Sequence, residues 1–90
     1  MKKAFETIVN NLVELTGSEK QVKWANNIRN GFIIDIVNSA PANYFDDENK
    51  INAVVNLFNR AKSAKFWIDE VENKGVLTFQ LGRILNNKAY

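Results

Sequence analysis

The chain has 90 residues, a net charge of +2, 46% hydrophobic and 24% charged residues, and neither cysteine nor histidine. These values indicate one folded domain and exclude disulfides, thiolate metal sites and a histidine base. The charge is too small for the dense basic stripe of a dedicated nucleic-acid binder, and no run approaches the roughly 20 apolar residues of a membrane span. A soluble protein of the host cell cytoplasm is expected.

The first predicted helix covers about residues 3–15. Phe5, Ile8 and Leu12 recur at the three- and four-residue spacing of a helix face. Gly17 is suited to end this helix, because glycine adopts the left-handed conformation of a helix C-terminus at no steric cost.

The second predicted helix, residues 18–38, is the central one. Ser18 as N-cap and Gln21 three positions later form a capping-box pattern. The apolar arc that follows includes Trp24 and is wide enough to contact neighbours on two sides. The helix should end before Pro41, because the residue preceding proline disfavours helical geometry.

The remaining sequence predicts further helices. One covers about residues 47–62, and a shift in its apolar pattern predicts a kink or restart at Ser63. A break follows at residues 73–75. Residues 76–87 fit a helix, with a small hairpin to the residues before the break as the alternative. The prediction is a single helical domain, residues 1–90, of the all-α class: a compact bundle of about four helices around the central one.

Arg29 falls inside the apolar arc of the central helix. A buried guanidinium needs an acceptor, because an unpaired buried charge costs several kcal/mol, on the order of 3–5. We predict that Arg29 forms an internal ion pair with Asp69 that fixes how two helices dock. The alternative is an arginine that binds a partner.

The two tryptophans, Trp24 and Trp67, each lie on a predicted packing face. The core is their expected location. Because tryptophan is also a frequent interface residue, an exposed tryptophan in so small a domain would instead indicate a binding surface.

Two small polar clusters are the candidates for partner binding. They share exposed helix positions that favour solvent and that could also contact phosphates. Their members are Lys20, Lys23 and Asn27 on the central helix and Arg60, Lys62 and Lys65 further on.

The two acidic groups, residues 46–48 and 69–72, do not have the ligand spacing of a calcium loop. The first fits the start of a helix, where negative charge is favourable. The chain also has no glycine-rich phosphate loop and no nucleophile beside a base. We therefore expect no enzyme, no catalytic residue, no metal and no cofactor.

Two sequence blocks resemble a recurring signature of small proteins from phages, prophages and other mobile elements of Firmicutes. The first block is Leu15–Gln21 followed by Trp24-Ala25 and Ile28-Arg29, and reads L-x-G-S-x-K-Q-x-x-W-A-x-x-I-R. The second is Ala64–Asp69, similar to an A-K-x-W-I-D block. The family often continues with asparagine and arginine, whereas this chain has Glu70-Val71, so no role for that arginine carries over.

The resemblance implies a small accessory protein encoded by a mobile element. Phage proteins of this size include inhibitors of host defence, among them anti-CRISPR proteins that bind Cas nucleases. We therefore expect a non-enzymatic inhibitor that binds a host protein. A nucleic-acid-binding or regulatory module using Lys20, Lys23, Arg29 and the Arg60 cluster is the alternative, and a structural or dimerisation module is the third possibility.

Overall fold

A computed structural model of the chain describes residues 2–87, which form helices and turns with no strand. This confirms the all-α prediction. The elements are α1 (Lys2–Asn10), α2 (Glu19–Ser39), a 3₁₀ turn (Tyr44–Asp46), α3 (Glu48–Phe58), a π-helical segment (Phe66–Glu72) and α4 (Thr78–Asn87). The tail positions 88–90, part of the predicted single domain, lie outside the described residues.

Helix α2 is the centre of the fold, as predicted. Its N-cap is Ser18, whose hydroxyl accepts from the Gln21 backbone N–H while the Gln21 side chain accepts from the Ser18 N–H, both at 3.2 Å. This reciprocal pair satisfies two backbone donors that a helix start would otherwise leave open. The helix packs against α1, α4 and the π-helical segment.

The core is built around Trp67, whose side chain is fully buried. Its indole stacks on Phe58 with ring centroids 5.7 Å apart, and Phe66 meets it edge-on at 5.5 Å. The indole N–H donates to the Ala61 carbonyl at 3.2 Å, so the polar atom of this ring is satisfied inside the core. The core location expected for Trp67 is confirmed.

The prediction of one helix over residues 3–15 is wrong at its C-terminal end, because α1 ends at Asn10. The chain then runs in extended form, and the Thr16 backbone pairs with residues 62–64: its N–H donates to the Lys62 carbonyl at 2.8 Å and its carbonyl accepts from Ala64 at 2.9 Å. The Val13 N–H donates to the Asn59 side chain at 2.9 Å. These distant partners replace the helical hydrogen bonds, and no local periodicity reports them.

Gly17 does not end the first helix and instead turns the chain into α2. Its φ of +147° is strained for any other residue, and an added Cβ would lie 3.1 Å from Gln21 Oε1 and 3.2 Å from the Ala64 Cβ. We expect Gly17→Ala to lower the free energy of unfolding by about 1–3 kcal/mol. Urea denaturation measures this. Gly31→Ala, in the open helix interior of α2, is the matched control and should instead raise stability by about 0.5–1 kcal/mol; equal effects at both glycines would contradict the account.

The second half of the chain follows the prediction in outline. Helix α3 starts after the Asp47 N-cap and stops at Phe58, four residues short of the predicted end. Helical geometry returns after Ser63, in agreement with the predicted restart. A turn with Gly75 at φ +60° then leads into α4, which confirms the helix over the hairpin for residues 76–87.

Candidate functional site

The side of α2 that faces away from the bundle carries large apolar side chains. Trp24 is 50% exposed and Ile34 is 44% exposed, so the expectation that Trp24 belongs to the core is wrong. We call this surface the outward face of α2; its members recur every three or four residues and are all exposed: Lys20, Trp24, Asn27, Gly31, Ile34 and Asn38.

The exposure of Trp24 follows from where the buried stripe of α2 lies. The stripe is Ala25, Arg29, Ile33 and Val37, one residue in every four. Trp24 is one position from Ala25, which places it about 100° around the helix from this stripe. The wide apolar arc read from the sequence therefore includes a side chain that the bundle does not cover.

Gly31 lies between Trp24 and Ile34 on the outward face. A Cβ at Gly31 would meet nothing within 4 Å, so no neighbouring side chain of the fold requires glycine there. Glycine in a helix interior costs about 1 kcal/mol relative to alanine. The bare backbone leaves a shallow notch at which another molecule can approach α2 closely.

Four exposed lysines lie near the start of α2. Lys20 and Lys23 are on the helix itself, and the backbone pairing of Thr16 with residues 62–64 places Lys62 and Lys65 at the same end of the molecule. Within residues 2–87 none of the four forms an ion pair. The two predicted polar clusters thus share one end of the fold, with Asn27 one turn further along α2.

Arg60, the remaining member of the predicted clusters, is held by α4. Its Nη1 donates to the carbonyls of Leu85 and Asn86 at 3.4 and 3.2 Å. A cation at a helix C-terminus satisfies open carbonyls and interacts favourably with the helix dipole. Arg60 therefore has a structural role that the sequence did not indicate.

The predicted ion pair between Arg29 and Asp69 is absent from the described residues, and that prediction is wrong. The Arg29 guanidinium donates from Nη1 to the Val13 carbonyl at 3.0 Å and from Nη2 to Asn26 Oδ1 at 3.1 Å. Asp69 is exposed at the surface. The extended segment after α1 covers this part of α2 and supplies the carbonyl, an arrangement that a helical wheel cannot anticipate.

Arg29 is buried with an unsatisfied donor. The side chain is 5% exposed, and its Nε has no acceptor within the described chain. Burial lowers the pKa of Arg29 from its ordinary value because it disfavours the charged form. A cavity of about 410 Å³ adjoins the guanidinium; its lining residues are Val9, Leu12, Val13, Glu14, Leu15, Val22, Asn26 and Arg29.

A carboxylate introduced at Asn26 should pair with Arg29, since Asn26 Oδ1 already accepts from Nη2. We expect Asn26→Asp to raise the free energy of unfolding at pH 7 by about 1 kcal/mol. The guanidinium lowers the folded-state pKa of the new carboxyl below its unfolded value of about 3.9, so the gain is present above that value and disappears as the pH falls through the folded-state pKa.

The measurement is urea denaturation of both proteins at pH 7 and at a series of acidic pH values. Asn27→Asp, one position further on the exposed side, is the matched control and should gain little. A gain at Asn26 that persisted at the lowest pH, or no gain at pH 7, would contradict the pairing.

The first acidic group has the role expected of a helix start. The Asp47 side chain accepts from the Asn49 backbone N–H at 2.9 Å and caps α3. Among residues 2–87, no three acidic side chains group together as metal ligands would, and no helix is long and apolar enough to cross a membrane.

No family model, curated protein or solved structure matches this chain. The site is therefore defined by its own geometry: an exposed aromatic and aliphatic helix face beside a basic end. Sequence reasoning missed Gly31 and Ile34 as part of it. The available signal was the position of Ile34 among the asparagines on the polar side of the central helix.

Proposed function

We propose that this chain is a non-enzymatic phage or mobile-element accessory protein that inhibits a host defence nuclease, of the anti-CRISPR type, by protein–protein binding. The observation that carries the binding surface is the outward face of α2, where Trp24 and Ile34 are exposed on either side of the Gly31 notch. The resemblance of the two sequence blocks to proteins of Firmicutes mobile elements supports the choice of a defence protein as partner.

Tryptophan in the middle of an exposed face supports a protein partner. Truncating such a residue at an interface often costs 2 kcal/mol or more, because the ring fills a desolvated pocket on the partner. The notch at Gly31 allows the partner backbone or a bulky side chain to contact α2 beside that ring. A helix face of this shape fits an apolar groove on a larger protein.

The charge of this end of the molecule indicates which surface of a nuclease it binds. Lys20 and Lys23 flank Trp24, and the whole chain carries +2. A protein that occupies the basic nucleic-acid channel of a nuclease as a mimic needs strong negative charge. This chain therefore binds an acidic surface outside that channel and blocks a conformational or assembly step.

A second candidate function is nucleic-acid binding, which the four lysines at one end favour. A base could stack on Trp24 while the lysines contact phosphates. The affinity for DNA or RNA would then fall steeply with added salt, because each phosphate contact releases counterions. With Arg29 buried and Arg60 bonded to α4, this surface is smaller than the sequence predicted.

The test is an affinity capture with the tagged chain from a lysate of a Firmicutes host carrying active CRISPR systems, with and without nuclease treatment. Mass spectrometry identifies the retained proteins. Retention of a Cas nuclease or another defence nuclease after nuclease treatment, together with inhibition of its cleavage activity by the purified chain, supports the proposal. A catch that disappears on nuclease treatment assigns the surface to nucleic acid, and a catch without any defence protein removes the inhibitor assignment.

A further inference from the structure

We propose that the cavity beside Arg29 is a binding site for a carboxylate attached to an apolar group. The inference is independent of the proposed function, because it concerns the opposite side of α2 from the Trp24 face. It depends on three observations: a buried guanidinium, its lack of a negative partner, and the cavity that it lines.

The guanidinium is satisfied only in part. It carries five N–H groups, and the described chain supplies two acceptors, the Val13 carbonyl and the Asn26 amide oxygen. Both acceptors are neutral. A buried cation of this kind is stabilised much more by a carboxylate than by amide oxygens, because hydrogen bonds between ionised groups are roughly twice as strong as neutral ones.

No carboxylate of residues 2–87 takes that position. Glu14 is the acidic residue of the cavity lining, but it is exposed and forms no ion pair with Arg29. Asp69, the partner expected from sequence, is elsewhere on the surface. The negative partner that the charge favours must therefore come from another molecule.

The cavity wall specifies the remainder of the ligand. Val9, Leu12, Leu15 and Val22 line it along with Arg29 and Asn26. At about 410 Å³ it is in the range of small-ligand pockets, roughly 300–1,000 Å³. A carboxylate on a branched aliphatic chain would place its charge on the guanidinium and its hydrocarbon against these side chains. The same chemistry occurs in a free short-chain acid and in a glutamate side chain of a bound protein.

The experiment follows the Arg29 Nε–H signal of the ¹⁵N-labelled full chain by NMR. The signal is assigned by its loss in Arg29→Lys. One arm titrates 4-methylpentanoate, a second titrates its uncharged amide, and a third titrates a blocked Leu-Glu-Leu peptide. We expect saturable shifts of the Arg29 signal with a dissociation constant of about 1 mM or tighter for at least one carboxylate, and none for the amide. Saturation by the free acid indicates a small-molecule ligand, whereas saturation by the peptide alone indicates a side chain of a protein partner.

Two variants make the test specific. Asn26→Asp places a carboxylate on Nη2 from within and should abolish the titration while the rest of the spectrum is retained. Glu14→Gln removes a like charge from the cavity lining and should tighten binding. Equal shifts with the amide, no saturable shift with either carboxylate, or unchanged binding in Asn26→Asp would overturn the proposal.

Discussion

Trp67→Ala should leave the domain close to unfolded. The side chain is fully buried, stacks on Phe58, meets Phe66 edge-on and donates to the Ala61 carbonyl. Replacing a buried tryptophan by alanine costs about 3–5 kcal/mol, while a domain of 90 residues has a total stability of about 5–14 kcal/mol. We therefore expect a loss of melting temperature of about 15 °C or more.

Circular dichroism during urea and thermal denaturation measures this change. Trp67→Phe keeps an aromatic ring and loses only the indole N–H and part of the volume, so its loss should be intermediate. Trp24→Ala is the matched control at the half-exposed tryptophan and should stay within about 0.5 kcal/mol of the parent protein. Similar losses for Trp67→Ala and Trp24→Ala would contradict the assignment of one tryptophan to the core and the other to the surface.

Trp24→Ala should remove the binding activity without affecting the fold. Trp24 is half exposed at the middle of the outward face, where no neighbouring element covers it. If Trp24 is the residue that inserts into the partner, its truncation costs at least about 2 kcal/mol, which corresponds to a loss of affinity of about 30-fold or more. Isothermal titration calorimetry with the captured nuclease measures this loss.

Phe79→Ala is the matched control for that experiment. Phe79 is 67% exposed on α4, so it is an aromatic residue of comparable exposure on another helix. Its truncation should leave the affinity unchanged. Binding that fell equally in both variants would show that general surface hydrophobicity, rather than the outward face of α2, drives the interaction.

Local signals in the sequence were sufficient for the helices. The Ser18 and Gln21 side chains bond to backbone groups within one turn, and the Gly75 turn depends on one backbone angle. Such features involve residues close in sequence, so their pattern can be recognised without the fold. The all-α class and the central position of α2 follow from them.

Features that depend on distant residues could not be predicted. The extended form after α1 depends on hydrogen bonds from Val13 to Asn59 and from Thr16 to Lys62, each across more than 40 residues of sequence. The partners of Arg29 changed for the same reason, because the Val13 carbonyl reaches the guanidinium only once this segment has folded over α2.

The outward face was missed for a different reason. An apolar arc on a helical wheel shows which residues could be buried, but the neighbouring elements decide which part of the arc they cover. Here the π-helical segment, α1 and α4 cover the stripe at Ala25 and leave Trp24 in solvent. The interface alternative held for the tryptophans is thus the one that applies to Trp24 in our proposal.

The central claim is inhibition through protein contact, and the most direct measurement is a titration of target cleavage by the captured nuclease against the purified chain. Guide and target are held fixed, and excess non-specific DNA is added in a parallel series. The account predicts that cleavage stops at a fixed ratio of this protein to nuclease, that excess DNA does not restore it, and that Trp24→Ala leaves cleavage intact. Cleavage that continued at saturating protein, or that excess DNA restored, would contradict it.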